Sequence, residues 1–293
     1  MNNLLSINDL SQKEIIQIFK LADLGNNLFI KYQGALKNKI LATLFFQPST
    51  RTQLSSQSAF IKLGGQCIGF SNIEDSRSGS TYHESMYDLG NLLNSYCDLV
   101  VMRCCDEQQI YDLATSCSVP IISAGHGDIE HPTQALVDLY TLWSLYKTID
   151  NLNIIIIGTI PSRSMNSLIE GLNKFNNNKI FLIGNNEKNS FKSNVSIYSD
   201  ISSFIKDYKD YNKINAIYLT EIKQCSNYKD YIISKEQIEL FQNAKILSPL
   251  PRTNILPRYF DFFSHSYYFR EAQNAIYIRA ALYLQILQSN LII

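Results

Sequence analysis

The stretch "KILATLFFQPSTRTQLSSQSAFIKLGG", residues 39–65, decides the fold. Its opening "KILATLFF" is an apolar run that reads as a buried strand. From about Thr52 to Lys62 the apolar residues recur at helical spacing, and Gly64 follows as a stop. Ser49, Thr50, Arg51 and Thr52 sit at the corner between the two. A helix N-terminus presents unpaired backbone N–H groups and a partial positive charge. Hydroxyls and a guanidinium placed there complete an anion site, with phosphate the usual occupant. The guanidinium also offers two parallel donors, which Lys cannot. Ordinary capping by Ser or Thr needs no ligand, and the corner alone leaves both readings open.

Outward from this corner the same alternation repeats. "QCIGFS" reads as a strand, "ESMYDLGNLLNSY" as a helix, "CDLVVMR" as a strand, "EQQIYDLATSC" as a helix and "VPIISAG" as a strand. "HPTQALVDLYTLWSLY" is a helix with Pro132 in its first turn. The pattern restarts with "LNIIIIG", the most continuous β-branched run, followed by "SRSMNSLIEGLNKF", "KIFLIG", "INAIYLT" and "AKILSPLP". Strand–helix alternation predicts an α/β fold of two domains, each a parallel sheet with helices on both faces and a cleft between them. The expected division is 1–147 and 148–271, with the apolar C-terminal helix, about 272–293, packing back on the first domain.

Composition narrows the function. The chain has 293 residues, 45% hydrophobic and 18% charged, as expected of a globular protein. Lys plus Arg equals Asp plus Glu at 26 each, so no global basic surface points to nucleic acid or an anionic membrane. No apolar run approaches the ~20 residues of a membrane span. The N-terminal segment reads as an amphipathic helix capped near Ser11 rather than a secretory leader. Six irregularly spaced cysteines form no CxxC pair, which speaks against a metal cluster or disulfide framework and for a cytoplasmic protein.

Four further constellations lie at the predicted carboxyl ends of strands, where ligands bind in such folds. His131 caps the helix that begins at Pro132, and Gln134 lies three residues on, in capping-box position. Arg103 ends an apolar strand, so it either reaches solvent or faces the crevice. Leu250-Pro251 follows another strand and is an X-Pro bond open to the cis form. Arg163 occupies a second strand-to-helix corner that lacks GxGxxG, which disfavours a dinucleotide. Together they predict a cleft for a small molecule that carries phosphate and carbonyl groups, and for an anionic partner.

"FFQPSTRTQLS", "VVMR", "HPTQALVDLY" and "SPLPR" occur in the order and approximate spacing of the aspartate/ornithine carbamoyltransferase family, and the resemblance spans the whole chain. "PLPR" and the closing "YYFREAQNAIYIRAALYLQIL" resemble the aspartate-specific catalytic chains. The resemblance implies that Ser49, Thr50, Arg51 and Thr52 bind the phosphate of carbamoyl phosphate. It implies that Arg51, Thr52, Arg103 and His131 polarise the carbonyl. Gln134 and the Leu250 carbonyl would hold the carbamoyl amide, with Pro251 setting the turn, and Arg163 would bind the α-carboxylate of L-aspartate. It further implies N-carbamoyl-L-aspartate as product, a place in de novo pyrimidine synthesis, no metal or other cofactor, and a homotrimer with shared active sites. A regulatory chain or a dihydroorotase is a further partner it leaves open.

Three segments depart from the family pattern. Tyr82 in "SGSTYHES" stands where a Lys is expected. Glu221 and Lys223 in "YLTEIKQ" stand where Arg-x-Gln is expected. Ser248 replaces a His before "PLPR". Tyr82, Glu221 and Lys223 therefore mark an aspartate site of altered chemistry. They leave two alternatives to the aspartate enzyme: a homologue kept as a structural or regulatory subunit, and a carbamoyltransferase for another amine.

Overall fold

Strand β1 (Ile40–Phe45) is buried along almost its whole length and runs into helix α3 (Thr50–Lys62) through the corner at Ser49. The computed structural model describes residues 3–72, 76–78, 84–160, 162–184, 194–222 and 228–288. Tyr82 and Lys223 lie outside the described residues. Before β1 come α1 (Gln12–Ala22) and α2 (Asn26–Lys31), and α1 starts at a capping box of Ser11 with Glu14.

The first half continues through β2 (Gln66–Phe70), α4 (Met86–Tyr96), β3 (Leu99–Cys104), α5 (Glu107–Ser116), β4 (Ile121–His126) and α6 (Pro132–Tyr146). Its four strands are parallel in the order β2-β1-β3-β4. The second half holds β5 (Asn153–Ile157), α7 (Arg163–Leu172), β6 (Lys179–Ile183), β7 (Val195–Tyr198), α8 (Ile201–Asp207), β8 (Ala216–Leu219), α9 (Lys235–Ile238) and β9 (Lys245–Leu247). These five strands are also parallel, in the order β7-β6-β5-β8-β9.

The four isoleucines of β5 show why a parallel sheet needs cover on both sides. Side chains alternate along a strand. Ile154 and Ile156 join a core with Leu139 of α6 and Leu168 of α7, while Ile155 and Ile157 join one with Phe204 of α8 and Phe241. A polar residue at any of the four would be buried, so the run is apolar throughout.

Two helices tie the halves together. Ten residues of α6 are buried, and the helix packs against both α7 and α10 (Tyr268–Leu287). Helix α10 also packs on α1 and α3 of the first half, where Phe60 and Tyr283 meet edge to face.

Three local features differ from what the sequence pattern suggests. Strand β7 was not anticipated, because "VSIY" is a half-exposed edge strand with little apolar signal. "KDYIISKEQIELF" reads as one helix, yet it folds as a 3-10 turn over Tyr228–Tyr231, the short α9 and another 3-10 turn over Glu239–Phe241. Ser234 interrupts it by capping α9 with its side chain. Neither His131 nor Ser49 makes a side-chain cap, so both hydroxyl and imidazole are available for other contacts.

Candidate active site

In an open parallel sheet, chain connections that leave in opposite directions open a crevice at the strand ends. In the first sheet this happens between β1 and β3, and in the second between β5 and β8. Both crevices open onto one cavity of about 470 Å³. Gln47 through Thr52 after β1, and Arg103 on β3, form one wall. Thr159, Ser162, Arg163 and Ser164 after β5, and Thr220 and Glu221 after β8, form the other. His131 and Gln134 of α6 close the floor, and Pro249, Leu250 and Pro251 reach in from the end of β9.

All the described candidate residues are therefore brought together. Arg103 faces the crevice: its Nη1 donates to Ser49 Oγ at 2.9 Å. Capping thus loses to ion-dipole contact at Ser49, whose oxygen is turned to the guanidinium. Arg103 Nε is buried and finds no partner among the described residues. Burial pushes the guanidinium down to about 10, and Arg163 and Arg51 add repulsion. An anion between the arginines relieves both costs.

His131 is buried, and its backbone N–H donates to Ser167 Oγ at 2.8 Å. Burial, with Arg103 and Arg163 close by, holds its imidazole well below the usual histidine range. The ring is neutral at pH 7 and brings an N–H donor without a charge. Gly125, at φ +108, holds a backbone conformation that side-chain-bearing residues rarely adopt, and a Cβ there would also press on the His131 ring at 3.3 Å. Gln134 does not form the capping box, because its Nε2 donates to Asp138 Oδ1 at 2.7 Å instead.

Arg163 Nη1 donates to Gln47 Oε1 at 3.0 Å and to the Gly127 carbonyl at 3.1 Å, so it spans the two walls. Burial lowers it, and the negative charges of Asp128 and Glu221 partly restore it. Glu221 is exposed on the cavity wall, and its carbonyl accepts from Thr159 N–H at 3.0 Å. The Leu250-Pro251 bond is cis, with Leu250 at φ +54 and its N–H on Ser248 Oγ at 3.2 Å.

Sequence reasoning missed Gln47, Asp128, Thr159, Ser162 and Thr220, which line the same cavity. Each sits directly after a strand or at the helix corner that follows it, and that position was the available signal. Among the described residues no cluster of three or more His, Cys, Asp or Glu is placed to hold a metal ion, and no helix is long and apolar enough to cross a membrane.

The family model for the aspartate/ornithine carbamoyltransferase carbamoyl-P binding domain matches residues 2–144. The aspartate carbamoyltransferase catalytic subunit of Wigglesworthia glossinidia brevipalpis is 36% identical over 99% of this chain and 97% of its own. That of Clostridium acetobutylicum is 35% identical over 94% of each. Among solved structures, the catalytic subunit of M. jannaschii aspartate transcarbamoylase is 29% identical, with a TM-score of 0.86 over 99% of both chains. Aspartate transcarbamoylase from Trypanosoma cruzi, in complex with carbamoyl aspartate and phosphate, is 25% identical with a TM-score of 0.87, over 98% of this chain and 96% of that one. With relatives of this identity along its whole length, and both switch points converging on one arginine-lined cavity, the chain belongs to the aspartate/ornithine carbamoyltransferase family.

Proposed function

We propose that this chain transfers the carbamoyl group of carbamoyl phosphate to the α-amine of L-aspartate. The products are N-carbamoyl-L-aspartate and phosphate, in de novo pyrimidine synthesis. The observation that carries this reading is the convergence of Arg51, Arg103 and Arg163 with the neutral His131 on one cavity. Relatives that carry this name along their whole length support the same substrates.

In this reading Ser49, Thr50, Arg51 and Thr52 hold the phosphate at the N-terminus of α3. Arg51, Thr52, Arg103 and His131 point donors at the carbonyl oxygen, where negative charge grows as the amine attacks. Gln134 and the Leu250 carbonyl accept from the carbamoyl –NH2, Pro251 shapes that turn, and Arg163 binds the α-carboxylate of aspartate. The amine nitrogen forms a bond to the carbonyl carbon, and the C–O bond to phosphate breaks. Phosphate leaves with the electron pair and takes up the proton that the amine loses. Most of the rate gain comes from alignment of two bound reactants and from preorganised charge. Glu221 lines the cavity where the second substrate's far end is expected, and Tyr82 and Lys223 lie outside the described residues.

The same reading divides the chain into a carbamoyl phosphate-binding domain, 1–147, and a second-substrate domain, 148–271, with the C-terminal helix returned to the first. It also carries a cytoplasmic homotrimer with shared sites. Leu54 and Ile61 on α3 and Ile68 on β2 support a subunit contact, as large apolar side chains exposed by 61%, 56% and 45%. The test is a carbamoylation assay with aspartate, ornithine and a panel of other amines. Carbamoyl aspartate as the preferred product is expected. No turnover with any amine, or preference for another amine, overturns the reading.

A further inference from the structure

Behind Gln134 lies a buried acid pair that the reaction above does not use. Asp138 on α6 and Glu271 on α10 are 0% and 1% exposed. Three donors converge on them. Gln134 Nε2 reaches Asp138 Oδ1 at 2.7 Å, the Tyr218 hydroxyl of β8 reaches Asp138 Oδ2 at 2.9 Å, and Ser248 N–H reaches Glu271 Oε2 at 2.8 Å. Two touching carboxyl groups in a dry interior cannot both be ionised. Glu271 Oε1 has no donor among the described residues. A proton on that oxygen, donated to Asp138, satisfies both acids. Burial raises both, and Glu271 well above its ordinary value. The Tyr218 hydroxyl already donates to Asp138, and Glu271 Oε1 is the oxygen without a donor, so the geometry puts the proton on Glu271 and leaves Asp138 the ionised member, able only to accept.

This settles the orientation of Gln134, because a carboxamide turns according to its partners. A carboxylate accepts only from Nε2, so Oε1 is the end left for the cavity that Gln134 lines. We propose that Asp138, hydrogen-bonded by Glu271 and Tyr218, is a positioning residue that makes Gln134 an acceptor toward the cavity and so selects an acyl phosphate bearing –NH2 over one bearing –CH3. The proposal rests on the reading of this cavity as a carbamoyl phosphate site. A carbamoyl nitrogen offers two N–H donors, and an acetyl methyl group offers none, which leaves a buried acceptor unpaired.

The test compares dissociation constants of carbamoyl phosphate, acetyl phosphate and inorganic phosphate on the full chain. The wild type is expected to prefer carbamoyl phosphate to acetyl phosphate. In D138N the neutral amide no longer dictates which end of Gln134 faces it. The preference is then expected to fall about tenfold, the scale of one hydrogen bond, with inorganic phosphate binding within about twofold of wild type. E271Q, whose amide still donates to Asp138, should keep the wild-type ratio.

If D138N folds poorly, the wild type supplies the second measurement. The titratable groups facing Asp138 are Glu271 of α10 and Tyr218 of β8, and burial pushes Asp138 itself up to about 6. Glu271 is already protonated, and Tyr218 does not titrate in acid. The ratio should therefore fall between about pH 7.5 and about pH 5 as Asp138 gains its proton, while the phosphate ionisation common to both ligands largely cancels. A wild-type preference that D138N retains, or that does not change with pH, overturns the positioning role and leaves the carbamoyl phosphate reading standing. Equal binding of the two acyl phosphates by the wild type also overturns the positioning role, whereas no binding of carbamoyl phosphate overturns the reading on which it rests.

Discussion

The corner after β1 and the corner after β8 each end a buried parallel strand at a switch point, and they present opposite charge to the same cavity. The first offers Arg51 on the N-terminus of a 13-residue helix, backed by Arg103 and by the neutral His131. The second offers Thr220 and the exposed carboxylate of Glu221, and the described residues that follow the strand, 220–222, are not helical. A helix N-terminus is a fixed positive dipole that any phosphate can use. A loop must supply its charge through side chains, so one substitution there changes which substrate is welcome. In the proposed reading the first wall, which holds phosphate, relies on fixed backbone charge, and the second wall is the half where side chains decide specificity.

The largest expected effect breaks the first wall. In the proposed reading Arg51→Ala removes a phosphate contact and a carbonyl contact together, and kcat/KM should fall by about a thousandfold. Retention of most of kcat in steady-state assays would contradict the assignment. Arg163→Ala should act mainly on the second substrate, since only one of its bonds, to Gln47, reaches the first wall. The KM for aspartate should rise about thirtyfold, the scale of a lost charged hydrogen bond, while carbamoyl phosphate binds within about twofold of wild type. If carbamoyl phosphate binding is lost as well, the two walls are not separable.

Glu221→Arg sharpens the comparison. Glu221 is exposed, so solvent weakens its effect. Replacing repulsion by attraction should lower the KM for aspartate by roughly threefold to tenfold. An unchanged or raised KM would mean that the carboxylate does not meet the substrate.

The smallest effect is read in stability. The folded-state pKa of His131 is depressed, so between that value and its unfolded value of about 6.5 the unfolded chain binds more protons. Stability is then full above about 6.5 and falls as pH drops, by at most about 1.4 kcal/mol per pH unit. His131→Asn should flatten this slope in denaturant titrations at a series of acidic pH values. An unchanged slope would show that the imidazole is already charged in the folded protein.

Much of this was legible because its signals are local. A strand, a corner and a helix are contiguous in "KILATLFFQPSTRTQLSSQSAFIKLGG", and chain order places the corner at the carboxyl end of the sheet. Leu250-Pro251 was legible for the same reason. The Asp138–Glu271 contact was not, because 133 residues separate the two and only the return of α10 brings them together. A signal did exist: Asp138 is an acid within an apolar helix, seven residues after His131 and four after Gln134, on their face. Strand β7 escaped because an edge strand needs only one buried face. Gln134 illustrates a different limit. Spacing predicts a capping box, but a buried carboxylate one turn on is the stronger acceptor.

The central claim is that the corner after β1 is a carbamoyl phosphate site. Calorimetric titration of the wild type and Arg51→Ala with carbamoyl phosphate tests it most directly. The account predicts saturable binding to the wild type that is lost in the variant. No binding to the wild type at millimolar ligand, or equal binding to both proteins, would contradict it.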